Sequence, residues 1–488
     1  MAFTSLAYAV FLPLALLAYF AVPARGRWAV LLAFSYGFYM SWHPQLILLL
    51  WLDTIAAWAG GLALGRARTR AGRGAALALG ALPCLGALFF FKYFAFAAET
   101  LAALLRPFGV SVPQPAFSLV LPLGISFYTF QALGYLFDVW RAKAPPERHL
   151  GYFALFLGFF PQLVSGPIGR AGALLPQLRA PHRPDPARFT AGLQRICTGL
   201  FKKVVIADFL AVYADNVFDA LTNQGGLTLI LAAVFFSLQL YCDFAGYSDI
   251  AIGSARLFGI TLAENFQSPY MARSVKEFWR RWHISLSRWF SDYVYIPLGG
   301  SRCRRGRHLC NLLVTFLCSG LWHGASWTFV LWGLYHGLWL CAETFYLPRL
   351  DAWQARLPRP AARALTVART LGTGAVVCFG WVLFRVNSLA DFGYILQNLG
   401  RGLNPLRLPA YAAAAGMAPW ALALAAGLAA LLLWADWRAV YRRDPLQALN
   451  TARRPLRLTV YYLLSLAVLA AACARPFGAQ ADFIYFQF

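Results

Sequence analysis

The chain has 488 residues, 60% of them hydrophobic and only 13% charged, with a formal net charge of +24 and a mean hydropathy of +0.57. A soluble globular chain carries roughly 45–50% apolar and about 25% charged residues, so this composition excludes an ordinary soluble protein. The excess charge does not mark a nucleic-acid binder, because Arg and Lys collect in short loops between apolar blocks, the pattern that orients membrane proteins and meets anionic lipid.

The first apolar block, residues 4–22, approaches the roughly 20 residues that span a hydrocarbon core. Its first basic residue, Arg25, follows the block rather than preceding it. It therefore reads as a retained transmembrane helix with its N-terminus outside, not a cleaved leader. A second long block covers 45–64 and is followed by Arg66, Arg68, Arg70 and Arg73. Two segments joined by a turn at His43 and Pro44 separate the two basic loops, so both fall on the cytoplasmic side. A further pair of segments leads to Arg141, Lys143 and Arg148 on that same side.

The polar stretch 176–186 is too short to fold alone, and 195–203 mixes charge with apolar residues as an interfacial or bent intramembrane helix does. Later basic loops at 301–308, 349–363 and 438–457 again mark the cytoplasmic face. The last apolar block, 456–474, then runs outward and leaves the tail 475–488 outside. The expected fold is all-α and polytopic, with ten to twelve spanning or re-entrant segments. It divides into N-terminal helices (1–120), a central core (121–346), and C-terminal helices with an aromatic tail (347–488). Nine scattered cysteines without a C-x-x-C pair argue against a zinc site or a disulfide framework and for free, buried thiols.

Polar residues within apolar blocks are costly and call for a reason, and the central core holds most of them. The run KEFWRRWHISLSRWF, 276–290, reads as one helix. Trp279, Trp282, Leu286 and Trp289 form an apolar stripe, and Lys276, Arg280, His283 and Ser287 line the neighbouring face. Trp and Arg together also describe an interfacial belt; His283 is the residue that reading leaves unexplained. The basic neighbours disfavour imidazolium, so His283 is expected to be neutral.

The run SGLWHGASW, 319–327, places His323 one turn from Ser319 and from Trp327. Gly320 and Gly324 stand four apart, a spacing that lets another backbone approach closely. A neutral imidazole there can take a proton from an attacking hydroxyl, or it can serve a structural hydrogen bond. His336, in a near-repeat of that motif, falls about 20 Å further along if the helix is continuous and reads as a structural hydrogen-bonder. Asp243 and Asp249 in QLYCDFAGYSD sit in an otherwise apolar run, and structural pairing with the basic helix after Lys276 is favoured over catalysis. Nucleotide-loop, H-E-x-x-H and G-x-S-x-G motifs do not occur, which argues against metal catalysis and a conventional serine hydrolase.

The ordered runs FWRRWHISLSRW (278–289), LGG (298–300) and GLWHG (320–324) resemble the membrane-bound O-acyltransferase family. The branch is the one with alginate O-acetylation proteins, peptidoglycan O-acetyltransferases and the teichoic-acid D-alanylation protein. LPLGISFYTFQALGY (121–135), FPQLVSGPI (160–168), FKKVVIAD (201–208) and YCDFAGYSDIAIG (241–253) support it. The resemblance implies helices around a tunnel where a cytoplasmic acyl donor meets an outside acceptor. It implies His323 as the catalytic residue, His283 on the same tunnel, and acetyl-CoA as donor substrate with no permanently bound cofactor or metal. Lys276, Trp279, Arg280, Ser287, Ser319, Trp327 and Asp243 are the further candidates for the tunnel and donor site. Ala245 and Ser301 depart from the family pattern, which commonly has Ser and Asn there.

The tail DFIYFQF (482–488) carries one hydroxyl, Tyr485. It resembles the aromatic tail associated with teichoic-acid D-alanylation, where a Tyr carries the acyl group, and interfacial anchoring is its plain alternative. The resulting expectation is an acetyltransferase of the bacterial inner membrane, partnered outside by an SGNH-type acetyltransferase and polysaccharide-making machinery. The acceptor would be an alginate-like exopolysaccharide, cellulose or peptidoglycan. The rivals are D-alanyl transfer by the same fold, a proton-coupled transporter using the intramembrane Asp and His residues, and a non-catalytic assembly platform.

Overall fold

The computed structural model describes residues 1–110, 122–222 and 224–474, which form helices and connecting turns with no strand among them. Six described helical stretches are long and apolar enough to cross a membrane: Pro44–Arg66, Arg70–Phe108, Gly226–Leu257, Arg359–Arg385, Pro419–Tyr441 and Arg454–Cys473. The first block forms the shorter apolar helix Leu6–Ala21, opened by Ser5, whose side chain accepts from the Tyr8 N–H. The expected ten to twelve segments are reached only by adding helices that are shorter or more polar, such as Arg305–His323 and Trp327–Ala355.

The chain separates into two compact units. One comprises residues 1–196 and 247–264; the other comprises 197–246 and the described residues from 265 onward. The 121–346 stretch is therefore shared between them. In the first unit, a Cβ on Gly60 would lie 2.7 Å from the Gly80 Cα, so Ile47–Arg66 and Arg70–Leu88 touch backbone to backbone. Asp53, fully buried, accepts from the Thr129 hydroxyl at 2.8 Å. Arg195 bonds Asp249 at 2.6 Å and Glu264 at 2.5 Å.

The second unit is organised around an antiparallel hairpin. Helix Arg305–His323 stops because Gly324 turns extended (φ −159°, ψ 152°), and Trp327–Ala355 begins three residues later and packs back along it. The register is visible where the Cys341 thiol meets the Leu309 carbonyl at 3.5 Å. Glycines allow the contact: a Cβ on Gly333 would lie 2.4 Å from the Phe316 carbonyl oxygen, and one on Gly320 2.3 Å from that of Phe329. His336 is thus not further along the same helix as His323 but on the returning one. Trp332 stands at 5.0 Å from each ring, between them.

The expected hydrogen bond of His336 is also corrected, since both of its ring nitrogens are buried without a hydrogen-bond partner among the described residues. The ring is held by Trp279, Trp332 and Tyr335 at about 5 Å, edge to face. The partners of the two aspartates are corrected as well. Asp243 pairs at 2.5 Å with Lys203, which also reaches Asp208 at 3.0 Å, and Asp249 pairs with Arg195. Arg195 and Lys203 lie in the 195–208 stretch, whose helix Pro186–Leu200 continues into a π-helical turn, Phe201–Ala207. That turn re-aims Lys203 inward, leaving it 2% exposed. The cysteines are free, but Cys310, Cys318 and Cys473 are exposed rather than buried.

Candidate functional site: a cavity between two histidines and a basic mouth

Residues of the second unit enclose a cavity of about 720 Å³. Helix Arg305–His323 supplies His308, Leu312, Thr315, Ser319 and His323, spaced three and four apart and so on one face. At 1.5 Å per residue that stripe is roughly 22 Å long. The returning helix adds Leu340, Glu343, Thr344 and Asp351, all toward the His308 end of the hairpin. His323 ends its helix and is only 4% exposed. Trp332 at 5.0 Å and Phe384 at 5.3 Å pack edge-on against its ring.

The run 276–290 is not one helix. Ser274 caps a short helix, Val275–Arg281, by accepting from the Glu277 N–H. The chain then breaks at Trp282 and His283, and a second short helix, Ile284–Phe290, follows. His283 sits at the corner in a left-handed conformation, φ +42°, which costs a non-glycine residue about 1–3 kcal/mol and persists only where the surroundings over-determine it. Asn265 supplies that constraint. Its backbone carbonyl accepts from the Ile284 N–H at 2.9 Å. Its side-chain Oδ1 accepts from the Ser285 N–H and hydroxyl at 3.2 and 3.0 Å and lies 3.1 Å from His283 Nδ1.

Although the helix is broken, Lys276, Trp279, Arg280, His283 and Ser287 all line the cavity. A second residue that the sequence reading passed over makes this possible. Glu343, 2% exposed, accepts from the Val275 N–H with Oε1 at 2.6 Å and from the Lys276 N–H with Oε2 at 2.8 Å. A carboxylate there satisfies two N–H groups that the helix start leaves open and suits the positive end of its dipole.

The ring of His283 lies outside the six candidate spans. Burial, not the neighbouring cations, pushes its pKa down to about 3, so the imidazole is neutral at physiological pH. Phe244 closes one side of it at 4.7 Å, and Trp322 stands 5.9 Å away. Trp327 and Asp243 are not among the cavity's lining residues: Trp327 is 51% exposed and Asp243 is taken up by Lys203. Ser301, one of the two departures from the family pattern, does line it. Tyr485 lies outside the described residues.

Two imidazoles on one cavity, that of His283 neutral, with Lys276 and Arg280 along it, suit proton transfer to and from a substrate that also carries negative charge. Comparison with known proteins decides the class. Residues 147–389 match the sequence model of MBOAT, the membrane-bound O-acyltransferase family. The probable alginate O-acetylase AlgI of Azotobacter vinelandii is 41% identical over 382 residues, 78% of this chain and 74% of that protein.

The chain belongs to the membrane-bound O-acyltransferase family.

Another member, the peptidoglycan O-acetyltransferase of Helicobacter pylori, is 33% identical over 82% of this chain and 79% of its own. The teichoic acid D-alanyltransferase of Bacillus subtilis is 29% identical over 56% of this chain and 72% of its own. This membrane-bound O-acyltransferase is accordingly a multi-pass membrane enzyme. The matched stretch 147–389 contains both histidines and every residue that lines the cavity.

Proposed function

We propose that the enzyme moves acetyl from cytoplasmic acetyl-CoA to an acceptor hydroxyl, for O-acetylation of a polysaccharide outside the bacterial inner membrane. The observation that carries this reading is the cavity itself. His283 and His323 share it, and it runs to Ser301 and His308, the two ends of the basic loop 301–308. Arg-rich loops face the cytoplasm, so the His308 end is where a phosphate-bearing thioester would enter, with Lys276 and Arg280 placed to meet its charge.

In this reading His323 takes the proton of the acceptor hydroxyl as its oxygen attacks the thioester carbonyl. The tetrahedral adduct collapses by breaking the C–S bond, and the imidazolium returns the proton to the departing thiolate, giving an ester and free CoA. The alginate and peptidoglycan O-acetylating relatives support acetyl as the group and a polysaccharide as its destination. An SGNH-type acetyltransferase outside would complete the path. Tyr485 would carry the acetyl as a phenyl ester, a reactive donor for that second transfer. Both termini would then lie outside.

Purified protein given acetyl-CoA and a hydroxyl acceptor is expected to release CoA in step with ester formed. No CoA release, with substrate-coupled proton uptake instead, would replace this reading by transport. Release only from a D-alanyl carrier would replace acetyl by D-alanine. Tyr485→Phe at wild-type abundance should abolish polymer acetylation, and unchanged acetylation would end the relay through the tail.

A further inference from the structure

The tautomer of His283 is fixed by its surroundings. The Ser285 backbone N–H can only donate, and it donates to Asn265 Oδ1 at 3.2 Å. That atom is therefore the carbonyl oxygen of the amide and not its nitrogen. The Ser285 hydroxyl donates to the same oxygen at 3.0 Å. His283 Nδ1 faces this oxygen at 3.1 Å, and a carbonyl oxygen has no hydrogen to give, so Nδ1 must carry the hydrogen. In a neutral imidazole Nε2 then holds the lone pair. Any hydrogen bond at Nε2 is one the ring accepts.

We propose that Asn265 is a positioning residue that holds His283 as its Nδ1–H tautomer, so that during the transfer reaction Nε2 can act only as a hydrogen-bond acceptor. The left-handed backbone at His283 (φ +42°) supports this assignment. Backbone strain of that kind persists where the structure holds a side chain in one place. Here one asparagine holds both the corner, through its carbonyl and the Ile284 N–H, and the ring. The logic is that of a base whose far nitrogen is oriented by a third group. A ring fixed in this tautomer favours a partner that donates over one that only accepts. This rests on the acyl-transfer reading of the cavity, but the tautomer can be read without any substrate.

The experiment uses the full chain in nanodiscs with ¹⁵N-labelled histidine. The His283 signal among the seven histidines is identified by its loss in His283→Gln. The expected spectrum shows Nδ1 protonated and Nε2 bare, and the reverse pattern overturns the proposal whatever the enzyme transfers.

The second arm is kinetic. Asn265→Leu is expected to lower kcat about 10-fold or more with the KM for acetyl-CoA held within about twofold, and to mix the two tautomers in the spectrum. Ser285→Ala removes a donor from the same oxygen but leaves the ring's bond, and should keep both kcat and the tautomer. Wild-type kcat in Asn265→Leu, or an equal fall in Ser285→Ala, would show that the oxygen serves the helix start alone and overturn the proposal. If Asn265→Leu does not fold, the wild-type spectrum and Ser285→Ala still decide.

Discussion

Lys203 and Asp243 are as deeply buried as His283 and His323, at 2%, 2%, 1% and 4% exposure, yet the two sets of polar groups are built for different ends. The lysine closes on two carboxylates, Asp208 and Asp243, and its charge is neutralised inside the fold. The histidines are approached by aromatic edges, such as Phe244 on His283 and Trp332 on His323, and both line a cavity. Burial alone therefore does not separate chemistry from architecture. What separates them is whether the side chain is neutralised by opposite charge or borders a space a substrate can enter.

The most direct way to break this contrast is to remove one member of each set. His323→Ala is expected to lower acyl transfer by roughly 10²–10⁴-fold, the usual contribution of a general base. Its thermal unfolding should stay close to wild type, because the ring borders a cavity rather than filling solid core. Lys203→Met should do the opposite. Leaving Asp243 and Asp208 without their cation costs about 3–5 kcal/mol, read as lost folded protein and a lower denaturation midpoint. The molecules that do fold should turn over normally. A stable but inactive Lys203→Met would move the lysine into the reaction and erase the distinction.

A smaller change tests the frame that carries the cavity. Gly333→Ala would put a methyl group 2.4 Å from the Phe316 carbonyl oxygen, where backbone must move. Overpacking of this kind costs about 1–3 kcal/mol. Because the hairpin sets the spacing of His323 from the returning helix, activity should fall along with stability. A Gly333→Ala protein with an unshifted midpoint would mean that the two helices are not held as tightly as their glycines suggest.

Much of this was legible in the sequence, and what was not has a physical cause. Composition and apolar blocks gave a polytopic helical protein, and the glycines of GLWHG announced a close backbone approach that Gly320 makes. The family resemblance implied one tunnel for His283 and His323, and both, with Lys276, Arg280, Ser287 and Ser319, line one cavity. The 276–290 run misled because its periodicity is genuinely helical, while the break at His283 is imposed from outside by Asn265. Local pattern cannot report a constraint that arrives from 18 to 20 residues upstream. The continuation of His323 toward His336 failed for a similar reason: Gly324 and Ser326 end one helix and begin another, and the apolar pattern runs straight through them. Glu343 was missed although a signal existed. It is the lone carboxylate between Asp292 and Asp351, and an isolated acid in an apolar run calls for a partner.

That residue supplies the finest test of the comparison, because Glu343 belongs to both descriptions: it lines the cavity, yet its oxygens are consumed by two backbone N–H groups. Glu343→Gln keeps one acceptor oxygen and turns an amide NH₂ toward the other N–H, leaving a buried donor unsatisfied at a cost of about 1–3 kcal/mol. The helix it caps carries Lys276, Trp279 and Arg280, so loosening its first turn should blur the donor site before it touches the histidines. A several-fold rise in the KM for acetyl-CoA with kcat nearly unchanged is the expected result in a steady-state assay of CoA release. A fall in kcat as deep as that of His323→Ala, with KM held, would mean that the carboxylate itself handles a proton. The line between a consumed polar group and a presented one would then have to be drawn on the other side of Glu343.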